Sequence, residues 1–243
     1  MPTALITGGA SLLGEGAARA LVEDGWKVVL ADINLKGAEQ VVSDIGGAKV
    51  ASAVQLDVTD IKAVRHVVDD VVKKHGGIDG LLNAAGGFRG LGIPWREFMD
   101  TTPEEWEALL RPNLIGVFNV CHSVLPKMKA QKKGAIVSIA ASRGLRGGKK
   151  ATIYSAAKAG IIVFTQSLAQ EVGPLGIRVN SIAPGNAEAR WKTADMEDQG
   201  KKVPLGRETS AADVGNAVAF LLSDRACHIT GSCMDVSGGT TLH

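Results

Sequence analysis

The strongest constraint in this sequence is a rhythm of short, almost wholly apolar runs separated by longer stretches with helical period. The runs are TALIT at 3–7, KVVLAD at 27–32, KVASAVQLD at 49–57, GLLNAA at 80–85, GAIVSIA at 134–140, RVNSIAP at 178–184 and CMDVS at 233–237. A strand with one face in water alternates apolar and polar side chains, whereas a strand covered on both faces reads as a continuous apolar run. Helical spacing at 16–23, 61–74, 103–125, 153–172 and 211–222 supplies crossovers between such strands. The expected fold class is α/β, a doubly wound parallel sheet of about seven strands with helices on both faces.

Punctuation agrees with that pattern. Asp60, Thr102 and Ser210 stand where helices would begin, and Gly25, Gly76 and Gly173 where they would stop. A chain of 243 residues fits one domain of this class. The exception to the rhythm is 185–209, GNAEARWKTADMEDQGKKVPLGRET, which follows a strand's carboxyl end and reads as a substrate lid.

Composition narrows the function. Hydrophobic residues are 45 % and charged residues 21 %, with no unbroken apolar run of bilayer length and no signal peptide at the start, so a soluble cytoplasmic protein is expected, with no membrane partner. A net charge of +2 gives no case for nucleic acid, which leaves a small-molecule substrate as the expected partner. Cys121, Cys227 and Cys233 are odd in number and lack metal-ligand spacing, so reduced thiols are expected. The five histidines form no metal spacing either, and Met99, Met128 and Met196 read as packing residues, so no metal is expected.

Between the first strand and first helix lies TGGASLLGEG, residues 7–16. A glycine-rich turn there aims backbone N–H groups at a pyrophosphate, aided by the helix dipole. The spacing fails the G-x-G-x-x-G pattern, because Arg19 stands in the third position after Gly16. Asp32, ending the second apolar run, strengthens the reading: a carboxylate there accepts hydrogen bonds from an adenosine ribose and repels a 2′-phosphate. NAD(H) is therefore expected rather than NADP(H), despite Lys36 nearby.

Taken with Tyr154-x-x-x-Lys158, these features make the chain resemble the short-chain dehydrogenase/reductase family from end to end. The resemblance implies a Rossmann-type fold and hydride transfer between NAD(H) and a secondary alcohol or ketone. The family's loop, T-G-x-x-x-G-x-G, matches Thr7, Gly8 and Gly14 but meets Leu12 at its middle glycine. The resemblance assigns cofactor contacts to Gly8, Ser11, Leu12, Leu13, Gly14, Asp32, Asp57, Val58, Asn83, Ala84, Ala85, Pro184 and Gly185, together with Tyr154 and Lys158. It makes Tyr154 the proton carrier, with Lys158 on the same helical face favouring its phenolate, and Asn113 the holder of a proton-relay water. It also implies pairing of helices between subunits, and so a homo-oligomer, tetramer or dimer.

At the family's serine position stands Ala141, with Ser142 beside it. Three outcomes stay open: a shortened loop brings Ser142 into place, the enzyme is slow, or substrate groups compensate. Arg143, Arg146, Lys149 and Lys150, with Arg190 and Lys192 around Trp191, suggest a substrate bearing an anionic group; Arg143, Arg190 and Lys192 are its candidate contacts. Leu12 and Ala141 also sustain a rival reading, a weakened NAD(H)-binding member of the family acting as sensor or scaffold.

Overall fold

The computed structural model describes residues 1–186 and 203–241. Seven strands form one parallel sheet: β1 (Thr3–Thr7), β2 (Lys27–Asp32), β3 (Ala51–Gln55), β4 (Gly80–Asn83), β5 (Gly134–Ile139), β6 (Ile177–Pro184) and β7 (Cys233–Val236). Their order is β3-β2-β1-β4-β5-β6-β7. The chain winds outward from β1 in one direction and then, through β4, in the other, so the carboxyl ends of β1 and β4 flank the crevice where ligands bind in such sheets.

The continuous apolar runs have a direct structural cause. Leu5 in β1 enters one core with Val64, Val68, Val120 and Ile161, while its neighbours Ala4 and Ile6 enter a second core with Leu21, Val41 and Val218. The first core lies under α3 (Ile61–His75), α5 (Gly116–Gln131) and α7 (Thr152–Val172). The second lies under α1 (Leu12–Glu23), α2 (Leu35–Asp44) and α8 (Ala211–Leu222).

Several boundaries differ from the sequence expectation. The helical run at 103–125 divides into α4 (Pro103–Leu110), a π-helical turn at Arg111–Ile115 and α5, which continues past Pro126 to Gln131. This stretch has a length and apolarity that a bilayer would accept, but Val117, Val120, Val124 and Met128 are buried against the sheet. The run at 49–57 yields only five strand residues, because a 3₁₀ turn occupies Gly47–Lys49. Two helices gave too short a pattern to read: α2 and the five-residue α6 (Ser142–Arg146). Met128 is a core residue as expected, whereas Met99 is 89 % exposed and packs nothing. Met196 lies outside the described residues.

The expected caps at Asp60, Thr102 and Ser210 are all present, the last two as capping boxes closed by Glu105 and Asp213. Helices α1 and α8 meet backbone to backbone. A Cβ on Gly16 would stand 2.3 Å from the Ala211 carbonyl oxygen, and one on Gly215 would stand 2.3 Å from that of Gly16. Gly16 is thus a packing residue rather than part of a phosphate cradle. Gly215→Ala should destabilise the protein by about 1–3 kcal/mol through overpacking. Gly173→Ala, in open space at a helical φ of −53°, should be neutral or slightly stabilising. Chemical denaturation of the two variants checks the opposite signs.

Candidate active site

The loop after β1 is held by its own hydrogen bonds. Gly8 turns with φ +71° and its N–H donates to the Ala31 carbonyl at 2.8 Å. A Cβ at Gly8 would stand 2.6 Å from the Ala84 carbonyl, and one at Gly14 would stand 2.2 Å from the Gly8 oxygen, so both positions exclude any side chain. Ser11 caps α1: its hydroxyl donates to the Gly8 oxygen at 2.6 Å and accepts from the Gly14 N–H at 3.1 Å. The Ser11 N–H is also taken up by the Gly8 oxygen.

That accounting leaves the N–H groups of Leu12 and Leu13 without an acceptor among the described residues, at the positive end of a twelve-residue helix. Leu12 takes ordinary helical geometry, so its place never required glycine for its backbone. Leu13 packs toward the second core.

Asp32 closes the far side of this loop. Its carboxylate accepts from the Ala10 N–H at 2.9 Å and the Asn34 N–H at 2.8 Å, which leaves lone pairs for a ligand. Asp57 accepts from the Thr59 N–H and hydroxyl, both at 2.8 Å. Val58 is buried, and Asn119 of α5, a residue that the sequence reading missed, holds the Val58 carbonyl at 2.9 Å. The buried Asn83 ties β4 to β5 through Ser138 at 3.1 Å and to α5 through the Cys121 sulfur at 3.3 Å. Burial pushes the Cys121 thiol up to about 12. Ala84 and Ala85 continue from Asn83, their N–H groups directed to the Thr7 carbonyl and hydroxyl at 3.1 and 3.5 Å. Pro184 ends β6 and Gly185 follows it, with the Gly185 N–H on the Val236 carbonyl at 3.1 Å.

The residues proposed for chemistry converge from β5, α6 and α7. Lys158 is buried, and its ammonium donates to the Ile139 carbonyl at the end of β5 at 2.9 Å. It lies 5.7 Å from the centre of the Tyr154 ring. Desolvation lowers its pKa to about 8, so it stays mostly cationic at neutral pH. Ser142 begins α6 and is buried, next to Ala141, which is buried as well. Helix α6 approaches α7 so closely that a Cβ on Gly144 would stand 2.7 Å from the Lys158 carbonyl carbon.

Asn113 sits in the π turn, fully buried, with its side chain spent on the protein. Its carbonyl oxygen accepts from the Gly87 N–H at 2.7 Å, and its amide donates to Gly87 and Leu109 carbonyls at 2.8 and 2.9 Å. It therefore also fixes the segment after β4. That segment carries Phe88 and Trp95 onto Tyr154, contacts that sequence spacing could not reveal. Arg143 stacks over Trp95 at 5.2 Å. Arg190 and Lys192 lie outside the described residues, as does most of the expected lid at 185–209. The described ends of that segment meet at the sheet, where the Thr209 N–H donates to the Asn186 carbonyl at 3.0 Å.

A family model described as enoyl-(acyl carrier protein) reductase matches residues 8–241. The chain belongs to the short-chain dehydrogenase/reductase family. It is 37 % identical to the 3-oxoacyl-[acyl-carrier-protein] reductase of Escherichia coli, over 97 % of this chain and 96 % of that one. The corresponding enzyme of Thermotoga maritima is 35 % identical over 98 % and 97 %. Among solved structures, the 3-ketoacyl-(acyl-carrier-protein) reductase of Brucella melitensis complexed with NADH superposes with a TM-score of 0.92 at 32 % identity, covering 99 % and 98 %. An NAD+-bound xylitol dehydrogenase reaches 0.88 at 30 %, covering 98 % of both chains. As a member of this family, the protein is an oxidoreductase acting on a C=O or CH–OH group.

The buried lysine gives a pH signature. Its folded pKa lies below its ordinary value near 10.5, so between about pH 8 and 10.5 the unfolded chain binds more protons and stability rises with pH. Relative to Lys158→Met, the wild type should gain up to about 3 kcal/mol across that window. Denaturation of both proteins at pH 7.5 and 10 checks it; a constant difference would mean that the ammonium carries no desolvation penalty.

Proposed function

We propose that the protein transfers a hydride between NAD(H) and a secondary alcohol or ketone that bears an anionic group. The observation that carries this reading is the pairing of two half-sites on one crevice: the Asp32-closed loop at one end, and Tyr154 beside buried Lys158 at the other. The cofactor fits the first half-site on three counts. Gly8 and Gly14 let the loop close tightly on the Ala84 and Gly8 backbone where a Cβ would clash, Leu12 and Leu13 offer N–H groups with no acceptor among the described residues, and the Asp32 carboxylate keeps lone pairs at the end of β2. Asp57 and Val58 would flank the adenine side, and Pro184 and Gly185 the nicotinamide side. When bound, the nicotinamide supplies or takes the hydride.

The chain's own groups then handle the proton and the charge. In the reducing direction the Tyr154 hydroxyl gives its proton to the carbonyl oxygen as the alcohol forms, and the Lys158 ammonium stabilises the phenolate left behind. Ser142, buried at the start of α6, orients the carbonyl by donating its hydroxyl proton to the same oxygen. Oxidation runs these steps backwards. Asn113 supports the relay by fixing the Gly87 turn through its side chain.

Arg143 supports an anionic substituent. Its guanidinium has no ion-pair partner among the described residues, and its stacking on Trp95 sets a cation beside the rings that pack on Tyr154. Arg190, Lys192 and the lid at 185–209 belong to the same reading. The reading also includes one catalytic domain over 1–243, a cytoplasmic location and a homo-oligomer, tetramer or dimer. Val163, 60 % exposed on α7, and Ile115, 41 % exposed before α5, favour association of copies.

Titration with NADH and NADPH, followed by nicotinamide fluorescence, should show the tighter binding for NADH. Asp32→Ala should weaken NADH at least tenfold, about 1.4 kcal/mol, and narrow the gap to NADPH. Tyr154→Phe should keep NADH binding and lose roughly 10²- to 10⁴-fold in turnover on a screen of ketones and secondary alcohols. Binding without turnover in the wild type would instead favour the sensor reading.

A further inference from the structure

We propose that Trp95, backed by Phe88 and Arg143, is the residue that limits substrate size, admitting a compact carbonyl compound beside Tyr154 and shutting out a long acyl chain. This rests on the oxidoreductase reading above. Trp95 stands edge-on to Tyr154, ring centres 5.8 Å apart and planes at 79°. Phe88 approaches Tyr154 at 5.6 Å and 69°, and the ring centres of Phe88 and Trp95 lie 4.0 Å apart. Phe88 and Trp95, packed on each other, therefore occupy one side of the proposed proton carrier.

The wall is held from several directions. The Arg143 guanidinium covers a face of Trp95 at 5.2 Å, and it fits there because residue 148 is glycine, where a Cβ would stand 2.2 Å from an Arg143 nitrogen. Lys149, in the same loop, reaches Glu97 at 3.8 Å, just beyond Trp95. Beneath lie the stacked rings of Phe98 and Trp106, 5.4 Å apart at 15°, with the Trp106 indole N–H on the Thr101 hydroxyl at 2.7 Å.

Among the described residues, Pro94, Trp95, Leu109, Ile153 and Tyr154 line a partly open pocket with a volume of about 30 Å³. That is room for one small group and not for a flexible chain. The substrate class that fits is a short ketone or secondary alcohol: a small apolar substituent enters this space, and its anionic group meets the Arg143 guanidinium.

The test is a length series of 3-oxoacyl N-acetylcysteamine thioesters, from four to twelve carbons, run with NADH on the wild type, Trp95→Ala and Trp95→Phe. The wild type should favour the four-carbon thioester by at least tenfold in kcat/KM. Trp95→Ala should lower KM for the twelve-carbon thioester and raise it for the four-carbon one, moving the ratio at least tenfold, and Trp95→Phe should restore part of the preference. Equal efficiency across lengths in the wild type, or a ratio unmoved by Trp95→Ala, overturns the proposal.

Calorimetric binding of the same thioesters with NAD+ present separates this proposal from the one on which it rests. A length preference in binding with no turnover leaves the wall standing and removes the oxidoreductase reading, whereas turnover with no preference does the reverse. Binding of no thioester at all overturns the wall. NADH affinity is measured on each variant: Trp95→Ala should match the wild type, and loss of NADH binding would make Trp95 a support of the fold instead.

Discussion

The structure depends on one buried charge. An ammonium taken out of water is costly, and Lys158 is tolerated in the interior because the Ile139 carbonyl, at the end of β5, receives it at 2.9 Å. That bond joins the first half of α7 to the sheet at the edge where strands end. The near-contact of Gly144 with the Lys158 backbone then presses α6 onto the same turn. Position and charge of the lysine are thus fixed together, so the group that favours a neighbouring phenolate is also the one that aligns α6 and α7. Its lowered pKa is the physical trace of that arrangement, a cation retained where solvent does not support it.

The fold was legible because parallel sheets write a plain signal. Ala4 and Ile6 face one core while Leu5 faces the other, and a run buried on both sides can only be apolar throughout. What the pattern concealed has equally physical reasons. The π turn at Arg111–Ile115 inserts its extra residue into a continuous helical run, and hydrophobic period does not register that insertion. Helix α2 is too short and carries too few apolar positions to announce itself, with only Ala38 and Val41 buried. Gly16 looks like part of a phosphate motif by position, yet its cause lies about two hundred residues away in the Ala211 backbone.

The candidate site was legible where chemistry depends on local spacing and illegible where it depends on approach across the chain. Tyr154 and Lys158 share a helical face, and Asp32 ends its strand, so both could be read from neighbours. Leu12 illustrates the difference between a motif's letters and its physics. The pattern asks for glycine, but the hydrogen-bond inventory asks only for an unclaimed N–H in helical geometry, and leucine provides one. Ser142 and Ala141 are both buried, and the hydroxyl is the feature that separates them. Phe88 and Trp95 had no local signature, because their meaning arises only when the segment after β4 folds onto α7.

That segment ties the two halves of the crevice together. It leaves β4 at Asn83, which is bonded to β5 and α5, passes Ala84 against the Gly8 turn, and is then grasped at Gly87 by Asn113 from the π turn. Only after these anchors does it deliver its aromatic rings to Tyr154. The buried Asn113 amide is therefore linked to the proton carrier along a path of direct contacts, through Gly87 and Phe88. The π turn makes that path possible by placing a residue of the α4–α5 run where it can accept from and donate to one backbone unit at once. A local defect in helical winding thereby becomes the element that registers the substrate side of the crevice against the cofactor side.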